Sequence, residues 1–156
     1  MDAELVFAVL RALMAADVRF KIVGGVALNL VGLPRATQDL DLFVEPTPEN
    51  VARLRAALHQ VFDDPSIDEI TFEDLSGEYP AIQYVPPTGS FHIDLLSRLG
   101  EAFDYPSIEV EGRTVEEMTL PVATPRMLVR MKRGTVRPQD HADAARLRKH
   151  FAIEDE

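Results

Sequence analysis

The chain has 156 residues, 46% of them hydrophobic and 27% charged, with 8 Gly and 11 Pro, which is enough for one sizeable core and excludes the disordered and fibrous classes. It has no cysteine and only four histidines, so a disulfide framework, a thiolate zinc site and a cysteine nucleophile are all excluded, and a cytoplasmic location is expected. Its formal charge, 16 − 26 = −10, argues against indiscriminate nucleic-acid binding, which depends mainly on Lys and Arg at phosphates. Eight of the basic residues nevertheless fall between 126 and 149, among only two acids, Asp140 and Asp143, so that stretch is locally cationic.

No run approaches the roughly 20 apolar residues that cross a bilayer, and one domain spanning residues 1–156 is expected. Leu5, Val6, Val9, Leu10, Leu13 and Met14 recur at three and four residues, predicting an amphipathic helix over about 3–16. Phe20 to Val23 reads as a short strand ended by Gly24-Gly25, with a short helix predicted over 26–33. Asp39 to Val44 alternates before turning wholly apolar, as a strand open on one face at its start does. Thr47-Pro48-Glu49 then supplies a capping hydroxyl, a first-turn proline and an early acid, opening a second long helix.

Residues 63–78 show no regular period. Ala81 to Val85 and Phe91 to Leu96, separated by Pro86-Pro87-Thr88-Gly89, predict a hairpin, and a second hairpin is read from 108–110 and 113–115 around Glu111-Gly112. Thr124-Pro125 caps a helix that runs to Arg133 and stops at Gly134, and Pro138 opens the last helix. Helices alternating with strands, followed by hairpins and two terminal helices, predict an α+β (mixed α/β) domain with one mixed sheet flanked by helices.

The chemistry concentrates between Val23 and Val44. A glycine pair at a strand-to-helix turn lets backbone approach a ligand closely, and the helix start offers free N–H groups and the positive end of the dipole, a corner suited to phosphate. Asp39 and Asp41, two apart on a strand, project to one side, and their convergent hard oxygens suit Mg²⁺; a solvated strand edge is the simpler alternative. In the strand through His92 and Asp94, Phe91, Ile93 and Leu95 alternate toward the core, so Asp94 faces the other way. Were this strand beside the first, three acids could hold two ions in the arrangement that clamps an in-line phosphoryl displacement. Lys132, Arg35 and Arg137 could neutralise phosphate charge, although Lys132 and Asp140 also stand where helix ends are favoured by a cation and an acid respectively.

These residues together resemble the minimal nucleotidyltransferases of the DNA polymerase β superfamily, specifically the AbiEii/AbiGii-type branch found as toxins in toxin–antitoxin pairs. That branch has a G-G-x-A-L-x-x-x-G-x-x-R-x-T-x-D-h-D pattern, matched in register by Gly24, Gly25, Ala27, Leu28, Gly32, Arg35, Thr37, Asp39 and Asp41. Its later R-x-K-D-x-x-D block, after a proline-started helix ending in lysine, resembles Pro125, Lys132, Arg137, Asp140 and Asp143.

The resemblance implies a nucleotidyltransferase fold that transfers a nucleoside monophosphate from an NTP to a hydroxyl, at the 3′ end of a tRNA or on a partner protein. It implies Mg²⁺, two ions in number, on Asp39 and Asp41, with Asp94 as a third ligand or as the group that activates the acceptor. Gly24 and Gly25 would contact the triphosphate, with Arg35, Thr37 and Arg137 in the nucleotide site. Lys132 would meet the phosphates, Asp140 would orient that lysine or the nucleotide, and Asp143 would support the network from the next turn. A toxin role and an antitoxin partner are implied as well. Two positions depart from the pattern: Gly25 stands where many superfamily members have serine, and Gln139 where lysine is frequent.

Overall fold

The structure, a computed structural model, describes residues 2–33, 36–77, 80–87, 91–133 and 138–153, with the Arg133 side chain outside that set. The first helix, α1 (Ala3–Ala15), starts at Asp2, whose carboxylate accepts from the Leu5 N–H, and buries Val6, Val9, Leu10 and Leu13. Each such side chain stabilises the fold by about 1.5–3 kcal/mol on burial. The strand β1 (Phe20–Val23) follows and runs directly into α2 (Gly24–Leu30). This helix was expected over 26–33; it instead takes in the glycine pair and ends early, because Gly32 adopts φ +101° and turns the chain away.

Next come β2 (Asp39–Val44) and α3 (Pro48–Val61), with the Thr47 hydroxyl accepting from the Asn50 N–H as its spacing predicts. The Asn50 amide bonds back to Arg19 and Glu45, which ties the start of α3 to the strand ends. Residues 63–78, without a period in the sequence, form a 3₁₀ turn (Pro65–Glu69) and the short α4 (Phe72–Ser76), each entered through a side-chain cap, Asp64 and Thr71.

The hairpin of β3 (Ala81–Tyr84) and β4 (His92–Leu96) is present and antiparallel. Two short strands, β5 (Arg98–Leu99) and β6 (Phe103–Asp104), pair with each other. The second expected hairpin is corrected. Residues Val110–Val115 form one unbroken strand, β7, paired with β8 (Met118–Ala123), and the turn is at Glu116-Glu117, with φ +48° and +69°. Gly112 sits mid-strand because a Cβ there would come within 2.8 Å of the Thr119 Cγ2, so the glycine makes room for a neighbouring side chain and does not mark a turn. The chain closes with α5 (Pro125–Arg133), capped by Thr124, and α6 (Pro138–Phe151). The expected stop at Gly134 lies outside the described residues.

The main sheet has the order β3-β4-β2-β1-β8-β7, with β2–β4 and β1–β8 parallel and the remaining pairs antiparallel. The mixed sheet with flanking helices follows the sequence reading. One sheet face carries Ile22, Leu40, Leu42, Ile93 and Leu95, none with measurable exposure. The opposite face carries Lys21, Asp39, Asp41, Phe43, His92, Asp94 and Leu96, since registered partners share a face. No helix among the described residues is long and apolar enough to cross a membrane.

Candidate active site

The parallel pairing of β2 with β4 sets Asp39 opposite His92 and Asp41 opposite Asp94. The adjacency assumed from sequence is therefore present, and all three aspartates stand on one sheet face. Asp41 hydrogen-bonds Asp94, and its carboxyl group titrates near 7, raised first by burial, then by that hydrogen bond and by the charges of Asp94 and Asp39, with Lys132 opposing the rise.

Gly24 closes the corner over this pair. It adopts φ +70°, and a Cβ added there would lie 2.0 Å from Asp41 Oδ2. Gly25 is equally tight against Thr37, whose Cβ and Oγ1 would each be 2.8 Å from an added Cβ. The glycine pair thus has a packing role inside the chain: it lets α2 begin on the carboxylate strand. Thr37 in turn accepts from the Asp39 N–H at 3.3 Å and donates to the Asp39 carbonyl at 3.2 Å, fixing the entry to β2.

The second block of the sequence pattern meets in a buried ion cluster. Lys132 Nζ, near the end of α5, lies 3.3 Å from Asp140 Oδ1 and 3.3 Å from Asp143 Oδ2, both on α6, and all three residues are buried. A buried ammonium between two carboxylates is a costly arrangement, because all three ions give up hydration that their mutual attraction must offset. Gln139 donates to Asp143 Oδ1 at 3.0 Å, so the residue that replaces the usual lysine belongs to the same cluster. Arg35 and Arg137, both expected at the nucleotide, lie outside the described residues.

The sequence reading gave His92 no role, and its placement adds a contact. His92 Nδ1 is 3.5 Å from Asp39 Oδ1 and 3.5 Å from Gln83 Nε2. The signal was legible, because His92 precedes Asp94 by two and so shares its face. Among the described residues, no three acidic or histidine side chains stand close enough together to hold an ion as placed: Asp39 leans to His92 while Asp41 and Asp94 pair with each other. The donor set nonetheless fits a hard divalent cation. Oxygen-only ligands repel one another here, and Asp41 carries a raised proton affinity, so a cation would compete with its proton.

Comparison with known proteins agrees with this fold. Solved nucleotidyltransferases share the fold. ANT(2″)-Ia, crystallised in complex with adenylyl-2″-tobramycin, aligns at TM-score 0.56 and 15% identity over 96% of this chain and 88% of that one. A solution structure of the same antibiotic-resistance factor aligns at 0.57 and 15% over 96% and 83%. A putative nucleotidyltransferase from Thermotoga maritima aligns at 0.50 and 12% over 97% and 92%. No curated protein matches the chain. The fold is that of a nucleotidyltransferase. Residues 8–140 match the family described as nucleotidyl transferase AbiEii toxin, type IV toxin–antitoxin system, and the chain belongs to that family.

Proposed function

We propose that the protein transfers a nucleoside monophosphate from an NTP to an acceptor hydroxyl, using divalent metal, as the toxin of a toxin–antitoxin pair. The observation that carries this reading is the register of Asp41 against Asp94 beneath the Gly24 corner. Asp39, Asp41 and Asp94 would hold Mg²⁺, which when bound supplies charge neutralisation at the phosphates and polarises the reacting oxygens. Gly24 and Gly25, which open α2, would meet the triphosphate, and Lys132, held by Asp140 and Asp143, would neutralise its charge.

The acceptor oxygen attacks the α-phosphorus, the bond from that phosphorus to the bridging oxygen of the β-phosphate breaks, and pyrophosphate leaves. Asp94 accepts the acceptor's proton. The complex of ANT(2″)-Ia with adenylyl-2″-tobramycin supports transfer of a nucleoside monophosphate to a hydroxyl on this fold. Arg126, Arg146 and Lys149, exposed on α5 and α6, support an RNA acceptor such as the 3′ end of a tRNA, while the net charge of −10 supports a protein hydroxyl.

Incubation with α-phosphate-labelled NTPs, Mg²⁺, and either total tRNA or candidate partner proteins tests the reading. Label should move to an acceptor and the transfer should vanish in Asp41→Asn. Nucleotide binding without transfer to any acceptor would instead mark a non-catalytic binding module.

A further inference from the structure

We infer that the outer edge of β3 is the docking surface for an extended segment of a partner protein, which adds to the sheet as a further strand and carries Lys or Arg at its flanks. The main sheet ends at β3 on one side and at β7 on the other. The Ser97 N–H donates to the Pro80 carbonyl at 3.1 Å, which carries the β3–β4 register one pair further and makes 80/97, 82/95 and 84/93 the hydrogen-bonded pairs. Ala81, Gln83 and Val85 consequently turn their N–H and C=O groups away from β4. These three are exposed, whereas Ile82 is half-buried and Tyr84 buried. Among the described residues no strand pairs with this side of β3, and a row of outward donors and acceptors is the complement of another strand.

The two edges of the sheet are not alike. At β7 stand Glu111 and Arg113, ion-paired at 2.5 Å, the kind of charged side chains that keep an edge from pairing. The sequence of β3, Ala81-Ile82-Gln83-Tyr84, has no charge and no proline. Val85, which follows it, is 56% exposed, more than Met14 or Leu99. Pro80 and Pro86 bound the stretch, so a docked strand pairs over about five residues.

The surroundings of the β3 edge select the charge of the partner. Between residues 56 and 97 the sequence has eight acids and no Lys or Arg. The Asp64 carboxylate accepts from the Tyr84 hydroxyl at 2.8 Å, and α4, with Glu73 and Asp74 exposed, lies against β3. An RNA backbone is repelled from such a border, and a second copy paired β3 to β3 would set one acidic surface beside another. A peptide segment with basic flanks satisfies the outward backbone groups and the acidic border together. Gln83 registers with Asp94, so the docked strand borders the aspartate site.

The test uses a fluorescent peptide of alternating threonine and valine with a pair of lysines at each end, titrated against the whole protein at low ionic strength. A version with glutamates in place of the lysines and a version with proline at its centre are the controls. The lysine-flanked peptide should bind saturably, and each control about tenfold more weakly or not at all. Amide hydrogen exchange at Ala81, Gln83 and Val85 should slow in the complex, while Ile82 and Tyr84, already in the ladder, should change little. Gln83→Pro removes one outward N–H and leaves the β3–β4 bonds in place, so it should weaken binding about tenfold. Gln83→Ala keeps that N–H and should bind like wild type, with melting temperatures checking that both variants fold. Absence of binding, slowed exchange at 111–115 in place of 81–85, or equal losses in Gln83→Ala and Gln83→Pro overturns the proposal. A dimer that protects the same three amides without peptide gives the edge to a second copy, and tighter binding of the glutamate-flanked peptide removes the charge argument; both also overturn it.

Discussion

Asp41 and Asp94 face each other across two parallel strands with Gly24 pressed against the Asp41 carboxylate. The Asp41 carboxyl is thereby raised to about 7, well above the usual carboxylate range. Burial of Asp41 is the larger cause and the neighbouring charge the smaller. The site is therefore built against its own stability, and a cation is what would relieve it.

The pH dependence follows. The folded-state pKa of Asp41 is raised from 3.8 to about 7, so between those values the folded protein binds more protons than the unfolded chain. Stability falls as pH rises through that window, by about 4 kcal/mol at most, and the loss is complete above it. Mg²⁺ should raise the melting temperature more at pH 8 than at pH 5. Asp41→Asn should be more stable than wild type at pH 8 without metal and should lose the Mg²⁺ response. A Mg²⁺ shift that is the same at both pH values contradicts this.

Gly24→Ala and Gly32→Ala separate backbone strain from site geometry. Both glycines have positive φ, but an added Cβ at Gly24 meets Asp41 Oδ2 whereas at Gly32 nothing lies within 4 Å. Each change costs about 1–2 kcal/mol for the left-handed conformation. Only Gly24→Ala should also displace the carboxylate, so urea midpoints should fall in both variants and nucleotide transfer should be lost in the first alone.

Lys132→Met removes the cation from between Asp140 and Asp143. Leaving two buried carboxylates facing each other should destabilise the fold by about 2–4 kcal/mol. Asp143→Asn, which keeps a hydrogen-bond acceptor for the lysine, should cost less. Chemical denaturation of the two variants gives the order; an unchanged midpoint for Lys132→Met would remove the structural role assigned to the cluster.

Much of the molecule was legible in sequence because its signals are local. The Thr47 and Thr124 caps, the alternation through Asp39–Val44 and the glycine corner each need only a few adjacent residues. The β2–β4 adjacency could only be assumed, since pairing of strands fifty residues apart is decided by tertiary packing. The β7–β8 turn was misread for a different reason: Glu116 and Glu117 lack the composition of a turn at positive φ, while Gly112, which has it, is used for close strand packing. The contact of Gly24 with Asp41 was invisible for the same reason as the β2–β4 pairing. The glycine pair reads as ligand-facing in the sequence, and the fold adds a second role, since the Cβ positions are already taken by Asp41 and Thr37.

That turn gives a prediction of its own. Replacing Glu116-Glu117 by Asn-Gly suits the left-handed pair of a tight hairpin and should stabilise the protein by about 1 kcal/mol. It also removes the Arg11–Glu116 ion pair, which is exposed and contributes little. Thermal melting should rise by a few degrees with nucleotide transfer unchanged.

The most direct test of the site is a crystal grown with Mn²⁺ and a non-hydrolysable NTP analogue, with the manganese located by its anomalous scattering. The account predicts density between the carboxylates of Asp39, Asp41 and Asp94, with the triphosphate running from there to the Gly24 corner. Manganese and nucleotide bound elsewhere, with Asp41 and Asp94 still hydrogen-bonded to each other, would contradict it.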